Sequence, residues 1–210
     1  MKVGVIHATT TAVEPIEKAF REVFPQAKLL HFMDTGLLPM IQEAKGLSPE
    51  IINRFTLLVN LASQSKVDCI QLTCSAFNNV TEILQPLYSK KLFRSDEAML
   101  DQVLAYNHIG LISTVEETPP ALLSYLRQKN PHIKVESLVN TQAIDLLFKG
   151  KIAEHDQLVS EMMSQLEGTV EAIVLSQYSM AHMTEKLNCS IPVLTGPKAS
   201  AERIRDYLAK

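Results

Sequence analysis

The sequence predicts an α/β protein made of two pseudo-symmetric lobes, each a parallel sheet flanked by helices. Short apolar runs of strand length alternate with longer segments of helical periodicity, which is the pattern typical of parallel sheets. A second observation is an internal repeat, because a segment of the first half recurs 103 residues later. Two such lobes facing each other would enclose an active-site cleft between equivalent strand ends.

The predicted elements follow one another along the whole chain. The strand candidates are residues 2–6, 27–32, 68–73, 108–113, 133–138, 171–175 and 192–194. The clearest helix covers residues 49–64, where apolar side chains recur at helical spacing and Ser48 can cap the first turn. Two further helices are expected to begin near Ser95 and Thr118, since each position combines capping residues with a favourable first turn.

The repeat defines which positions of the two halves are equivalent. Residues 67–74 (VDCIQLTC) align with residues 170–177 (VEAIVLSQ), so Cys74 and Gln177 occupy the same place in their lobes. The glycine-containing strands at the start of each half lie 106 residues apart. Repetition at this period indicates two α/β halves of similar architecture.

The repeat also predicts the domain boundaries. We expect a first lobe over residues 1–100, which carries the Cys74 motif, and a second over residues 101–197, which carries the Gln177 motif. The C-terminal helix, residues 198–210, is expected to return to the first lobe. No Gly/Ser-rich linker separates the halves, so the lobes should pack closely.

Composition excludes several classes of function. The chain has 210 residues, 46% hydrophobic and 20% charged, with a net charge of −3 and both signs mixed along its length. Such a balance gives no electrostatic footprint for nucleic acid or an anionic membrane surface, so a small-molecule partner is expected. Three cysteines without an export signal predict reduced thiols and a cytoplasmic protein.

Small polar residues follow the strands that the repeat pairs. These candidate substrate-binding residues are Thr9, Thr10, Ser75, Ser113, Thr114, Ser176, Gln177 and Ser179. The carboxyl ends of parallel strands meet at one edge of a sheet, so these side chains should lie near each other. A nearly uncharged, hydroxyl-rich lining suits a carboxylate held by neutral donors and backbone amides.

Cys74 is the candidate catalytic residue. It stands at a strand end just before a predicted helix, where the partial positive charge of the helix is expected to lower the thiol pKa. Cys69 lies inside the same strand, where a buried thiol acts as a small hydrophobe, and Cys189 is likewise expected to be structural.

The chain resembles the aspartate/glutamate/hydantoin racemase superfamily over essentially its full length. The resemblance rests on the opening VGVIHAT, on the segment around Thr73-Cys74-Ser75, and on Ser176-Gln177-Tyr178-Ser179-Met180 in the second half. It implies a cofactor-independent racemase or isomerase with no metal, in which two cysteines face each other across the α-carbon of a substrate such as an amino acid. Relatives of this kind are often dimeric, so the resemblance also raises a homodimer as an expectation.

Gln177 departs from the pattern of the family. The resemblance makes Cys74 the first-lobe cysteine and puts Gln177 at the position of the second, yet a glutamine amide cannot carry a proton during turnover. One alternative is a one-cysteine decarboxylase-like enzyme, and another is a binding protein for acidic metabolites. Ser176, Ser179 or His182 could replace the missing proton carrier, or Cys74 could act as a covalent nucleophile.

Two further histidine positions have a structural or a functional interpretation. The pair His155-Asp156 stands at a predicted helix start, and a structural pairing is favoured there over catalysis. His7 closes a predicted buried strand and could be a core histidine or a site residue. Because the histidines show no metal-ligand spacing with cysteines or carboxylates, no metal site is predicted.

Overall fold

Two four-stranded parallel sheets form the framework of the protein, whose computed structural model describes residues 1–186 and 189–210. The first sheet contains β1 (Lys2–His7), β2 (Lys28–Met33), β3 (Cys69–Leu72) and β4 (Lys91–Phe93). The second contains β5 (His108–Ser113), β6 (Lys134–Val139), β7 (Ala172–Leu175) and β8 (Val193–Thr195). The strand orders, β2-β1-β3-β4 and β6-β5-β7-β8, are equivalent, which confirms the predicted fold class.

One strand was missing from the sequence prediction. The short β4 has three residues, pairs with β3 alone and lies at the edge of the first sheet. Its brief apolar stretch gives little periodic signal. The repeat contained the missing information, because β4 is the equivalent of the predicted β8, which starts 102 residues later.

Helices cover both sheets. They are α1 (Val13–Val23), α2 (Leu37–Ala44), α3 (Pro49–Gln64), α4 (Val80–Leu84), α5 (Glu97–Val103), α6 (Thr118–Lys129), α7 (Thr141–Phe148), α8 (Ile152–Leu166), α9 (Met183–Lys186) and α10 (Gly196–Leu208). The prediction for α3 is confirmed. The Ser48 hydroxyl accepts a hydrogen bond from the Ile51 N–H at 3.3 Å, and the apolar stripe of the helix is buried. Over the described residues, no helix has the combined length and apolarity of a membrane span.

Glycines near the start of the two central strands bring one helix of each lobe close to its sheet. A Cβ at Gly4 in β1 would lie 3.3 Å from the Ala62 Cβ of α3. A Cβ at Gly110 in β5 would lie 2.6 Å from the Leu166 Cδ1 of α8. The repeated glycine therefore has a packing reason, because it allows α3 and α8 to pack directly on the strands.

The last helix of each half packs against the other half. Met99 and Leu100 of α5 belong to the same buried cluster as Leu111 of β5, in the second sheet. Ala201 and Ile204 of α10 pack in the cluster that contains β1 and α1 of the first lobe. The exchange of helices ties the lobes together and fixes how their strand ends face each other, while the boundaries at residues 100 and 197 stay a prediction.

Candidate active site between the lobes

A small cavity lies where the carboxyl ends of the two sheets meet, and we call it the central cavity. Its polar lining includes Thr9, Thr11, Thr73, Cys74, Ser75, Thr118, Gln177 and Ser179. Its volume of about 30 Å³ is room for roughly one or two water molecules. Both lobes contribute to the wall, so the cavity exists only because the repeat units face each other.

The structure brings together about half of the predicted substrate-binding residues. Thr9, Ser75, Gln177 and Ser179 line the central cavity with Cys74. Thr10 lines an adjoining groove instead, and Ser113, Thr114 and Ser176 are buried in the second lobe, outside the lining of the central cavity. Their assignment to substrate binding stays a prediction.

Cys74 caps a single 3-10 turn, Ser75–Phe77, rather than an α-helix. The nearby backbone N–H groups of Ala76 and Phe77 favour the thiolate and act to lower its pKa, although the Cys74 side chain makes no capping hydrogen bond to the turn. Burial acts in the opposite direction and is the larger effect, with a smaller contribution from the Glu117 carboxylate, so the Cys74 pKa is raised to about 11. The expectation of a lowered pKa was wrong, because one turn of helix cannot offset the loss of water around the sulfur.

The raised pKa of Cys74 should be visible in its alkylation by iodoacetamide. Near pH 8 the thiolate fraction is expected to be at least about 100-fold smaller than that of a free thiol with a pKa of about 8.5, and alkylation should be slower in proportion. Peptide mass spectrometry across pH 7–11 follows Cys74 separately from Cys189. An apparent pKa below 8.5 at Cys74 would contradict this account.

The Gln177 side chain is held at both ends. Its Oε1 accepts hydrogen bonds from the Thr114 backbone N–H at 3.1 Å and from the Ser176 hydroxyl at 2.9 Å. Its Nε2 donates to the Thr118 hydroxyl at 2.9 Å, and that hydroxyl lies 2.9 Å from the Ser75 Oγ of the first lobe. At the position that the repeat aligns with Cys74, Gln177 is therefore a fixed amide that helps to connect the lobes.

A pair of histidines lies on β1 and β2, beside the strand β3 that leads to Cys74. His7 is fully buried, with its Nδ1 3.0 Å from the Thr73 hydroxyl and its Nε2 2.8 Å from the His31 Nδ1. Burial, with a smaller contribution from His31, lowers the His7 pKa to about 4, so the ring is neutral at pH 7. The second-lobe equivalents of His7 and Thr73 are Ser113 and Ser176, whose hydroxyls lie 2.8 Å apart.

Comparison with known proteins agrees with this two-lobed geometry. The sequence pattern of the family described as Asp/Glu/Hydantoin racemase matches residues 3–204. The chain belongs to this family. Membership confirms the resemblance carried by the Cys74 and Gln177 segments and classes the chain as racemase-like. No curated protein matches the sequence in a direct search.

Solved structures of racemases share the fold of this family member. A glutamate racemase from Francisella tularensis in complex with D-glutamate superposes with a TM-score of 0.82 at 16% identity, covering 99% of this chain and 81% of that one. The aspartate racemase of Picrophilus torridus gives 0.77 at 15% identity, over 100% and 94% of the two chains. An allantoin racemase from Klebsiella pneumoniae gives 0.69 at 18% identity, over 100% and 88%.

Outside the central cavity, a polar cluster holds α8 and α9 together in this racemase-family fold. The Asp156 carboxylate accepts hydrogen bonds from His155 Nδ1 at 2.8 Å, His182 Nε2 at 2.7 Å and Lys186 Nζ at 2.5 Å. Burial alone would raise the Asp156 pKa, but the three donors outweigh it and lower the pKa to about 2. This arrangement agrees with the structural pairing favoured for His155-Asp156.

The same cluster bears on two sequence-based expectations. His155, Asp156 and His182 place possible metal-ligand atoms within 4.8 Å of one another, a grouping that sequence spacing missed, although the Lys186 ammonium already supplies a positive charge there. His182 also lies 3.0 Å from the Ser179 carbonyl through Nδ1, so both of its ring nitrogens are engaged. The ring supports the turn that carries Ser179, an arrangement that does not favour it as a second proton carrier.

Several site residues were missed by sequence reasoning. The sequence indicates Thr118 only as a helix start and Tyr178 only as part of a motif, yet both line the central cavity. Tyr178 is fixed by a 2.7 Å hydrogen bond between its hydroxyl and the Ser200 Oγ of α10. A signal existed for Tyr178, because the repeat aligns it with Ser75. Thr118 had none beyond its capping position.

Proposed function

We propose that this family member is a cofactor-independent racemase-like isomerase in which the Cys74 thiol transfers a proton at the α-carbon of a small carboxylate such as an amino acid. The observation that carries the proposal is the position of Cys74 on the wall of the central cavity, beside the backbone N–H groups of Ala76 and Phe77. The Cys74 thiolate removes the α-proton from one face, and the thiol can return it to that same face. Inversion therefore also needs a second proton donor on the opposite face, and the Ser179 hydroxyl on the cavity wall is the candidate for it.

The surroundings of Cys74 suit this chemistry. Burial favours the thiol form, which can donate a proton to a planar carbanion, and the two backbone N–H groups stabilise the thiolate that results. Hydroxyl groups of Thr9, Ser75 and Ser179 lie on the same wall, where a substrate carboxylate could recruit them by replacing a hydrogen bond. Neutral donors of this kind stabilise developing negative charge without competing for the proton.

Gln177 favours a second candidate function. Its amide does not titrate and is hydrogen-bonded at both ends, so the second lobe presents no proton carrier at the position equivalent to Cys74. Proton transfer from one face alone suits a decarboxylase-like reaction, in which one thiol protonates the enediolate formed by loss of carbon dioxide. The two candidates share the role of Cys74 and differ in what happens on the opposite face of the substrate.

Deuterium exchange distinguishes the candidates. The protein is incubated in D₂O with D- and L-amino acids and with α-substituted malonates, while ¹H NMR follows the α-proton and chiral chromatography follows configuration. Exchange with inversion supports the isomerase. Exchange with retained configuration, or carbon dioxide release from a malonate, supports the one-sided reaction. If no compound of the panel gives either signal, both candidate reactions are contradicted and a binding protein is favoured.

Gln177→Cys tests the absence of a second proton carrier. The substitution places a thiol opposite Cys74, so inversion of an exchanging amino acid is expected to rise at least about tenfold. Gln177→Ser is the matched control, because it also breaks the amide hydrogen bonds but supplies no comparable acid. Equal inversion rates in the two variants and the wild type would show that the second position is not what limits inversion.

The cellular setting belongs to the same proposal. The three cysteines are unpaired in the structure, two of them only partly buried, and free thiols persist in a reducing compartment. We therefore place the protein in the cytoplasm with a small carboxylate as its partner. Thiol labelling in intact cells, compared with labelling after lysis, would test the redox state of Cys189.

A further inference from the structure

A groove adjoins the central cavity on its outer side, and we call it the outer groove. Thr9 and Leu38 line both spaces, so the groove continues from the cavity that contains Cys74. The remaining wall includes Thr35, Pro39 and Gln42 of the first lobe and Phe148 of the second. Its volume of about 230 Å³ is several times that of the central cavity.

Apart from the Cys74 thiol and the hydroxyl and amide groups, the lining of the two spaces is apolar. Leu38, Ala76, Val115 and Ile144 contribute to the central cavity, and Phe148, half exposed, lies in the outer groove. No lysine, arginine or histidine among the described residues lines either space. The Glu117 carboxylate raises the pKa of Cys74 through its negative charge, and the same charge would repel a bound anion.

The available donors are few, because neighbouring groups already use them. The Thr118 hydroxyl bonds with Ser75 and Gln177, and the Thr9 and Thr11 hydroxyls lie 3.1 Å from each other. One carboxylate can recruit such hydroxyls by replacing a hydrogen bond. A second carboxylate would lie against Leu38 and the half-exposed Phe148 without a cation to pair with, and it would exchange part of its hydration for an apolar wall.

We propose that the substrate of this site is a monocarboxylate with an apolar, branched or aromatic side chain, bound with its carboxylate near Cys74 and its side chain in the outer groove. The inference rests on the proposed function for the position of the reacting carbon. It separates this chain from the relatives whose names specify glutamate and aspartate. Burial of an apolar side chain against Leu38, Pro39 and Phe148 supplies the binding energy that an acidic side chain would lose.

Two pairs of isosteric ligands test the proposal. The acids 4-methylpentanoate and succinate differ in an isopropyl group against a carboxylate at the same chain position, as leucine and aspartate do. Isothermal titration calorimetry of the full chain at pH 7 measures the first pair. We expect 4-methylpentanoate to bind at least tenfold more tightly than succinate. The exchange assay on leucine and aspartate should show the same order.

Variants in the outer groove test whether this surface causes the preference for 4-methylpentanoate over succinate. Phe148→Ala should reduce the preference for 4-methylpentanoate at least threefold, because part of the apolar wall is removed. Ile152→Ala is the matched control, since Ile152 is equally exposed, four residues further along, and lies outside the groove. Gln42→Lys introduces a cation at the exposed rim and should raise succinate affinity at least threefold.

The outcomes separate this inference from the proposed function. Tighter binding of 4-methylpentanoate without exchange of leucine would support the ligand class while contradicting catalysis. Exchange of aspartate in preference to leucine, equal or tighter binding of succinate, or no binding of either acid would overturn the inference. A change in Ile152→Ala as large as that in Phe148→Ala would place the apolar contact elsewhere and overturn it as well.

Discussion

Cys74→Ala is expected to reduce α-proton exchange by about 100- to 10,000-fold, the usual contribution of a positioned acid or base. The thiol lies on the cavity wall, where the only other titratable side chain among the described lining residues is Tyr178. The Tyr178 hydroxyl is hydrogen-bonded to the Ser200 Oγ, and burial raises the Tyr178 pKa, so this side chain cannot replace the thiol as a base.

Controls distinguish loss of chemistry from loss of structure. Cys74→Ser keeps the size of the side chain but replaces the thiol with a far weaker acid, so exchange should be lost while ligand binding persists. Cys189→Ala removes a partly buried thiol that packs in the second lobe, away from the cavity lining, and should exchange at the wild-type rate. Exchange by Cys74→Ala within a few-fold of wild type would remove the cysteine from the mechanism.

Acid should destabilise the protein through His7 before its carboxylates are protonated. The folded-state pKa of His7 is lowered to about 4 from an ordinary value of 6.5. Between these values the unfolded chain binds a proton that the folded chain excludes, so stability falls as pH decreases. The full difference corresponds to about 3 kcal/mol, present above pH 6.5 and lost by about pH 4.

Urea unfolding at pH 7, 6, 5 and 4 measures this loss, and His7→Gln identifies its source. The glutamine can retain a hydrogen bond to Thr73 but does not titrate, so the slope of stability against pH should flatten over this window. The Asp156 contribution does not confuse the result, because its lowered pKa of about 2 places its loss below about pH 4. An unchanged slope in His7→Gln would assign the effect to other groups, such as His155, whose pKa burial also lowers.

The repeat carried most of what could be predicted about the fold. It indicates the two lobes and the equivalence of Cys74 and Gln177, and the predicted β8 indicates its short equivalent β4 as well. Helix α3 was predictable because its cap and its apolar stripe are local properties of the chain. Periodicity reports such local preferences directly, so these elements needed no knowledge of their neighbours.

The candidate site was only partly predictable. The strand-end position of Cys74 follows from the sequence, but the roles of Thr118, Tyr178 and Leu38 depend on segments that meet only in the folded chain. The cluster of His155, Asp156 and His182 is a similar case, since His182 is 26 residues from Asp156 along the chain. Spacing rules cannot detect contacts that an intervening strand and turn create.

The sequence by itself determined that this chain forms two parallel-sheet lobes and that the Cys74 thiol lies at the end of a strand of the first lobe. Tertiary structure decided the state of that thiol, because its pKa depends on how completely both lobes exclude water from the sulfur. It also decided that Gln177 is a fixed amide and that the adjoining groove is apolar. Desolvation and hydrogen-bond partners are set by neighbours in space, whereas alternation and repeats are written along the chain.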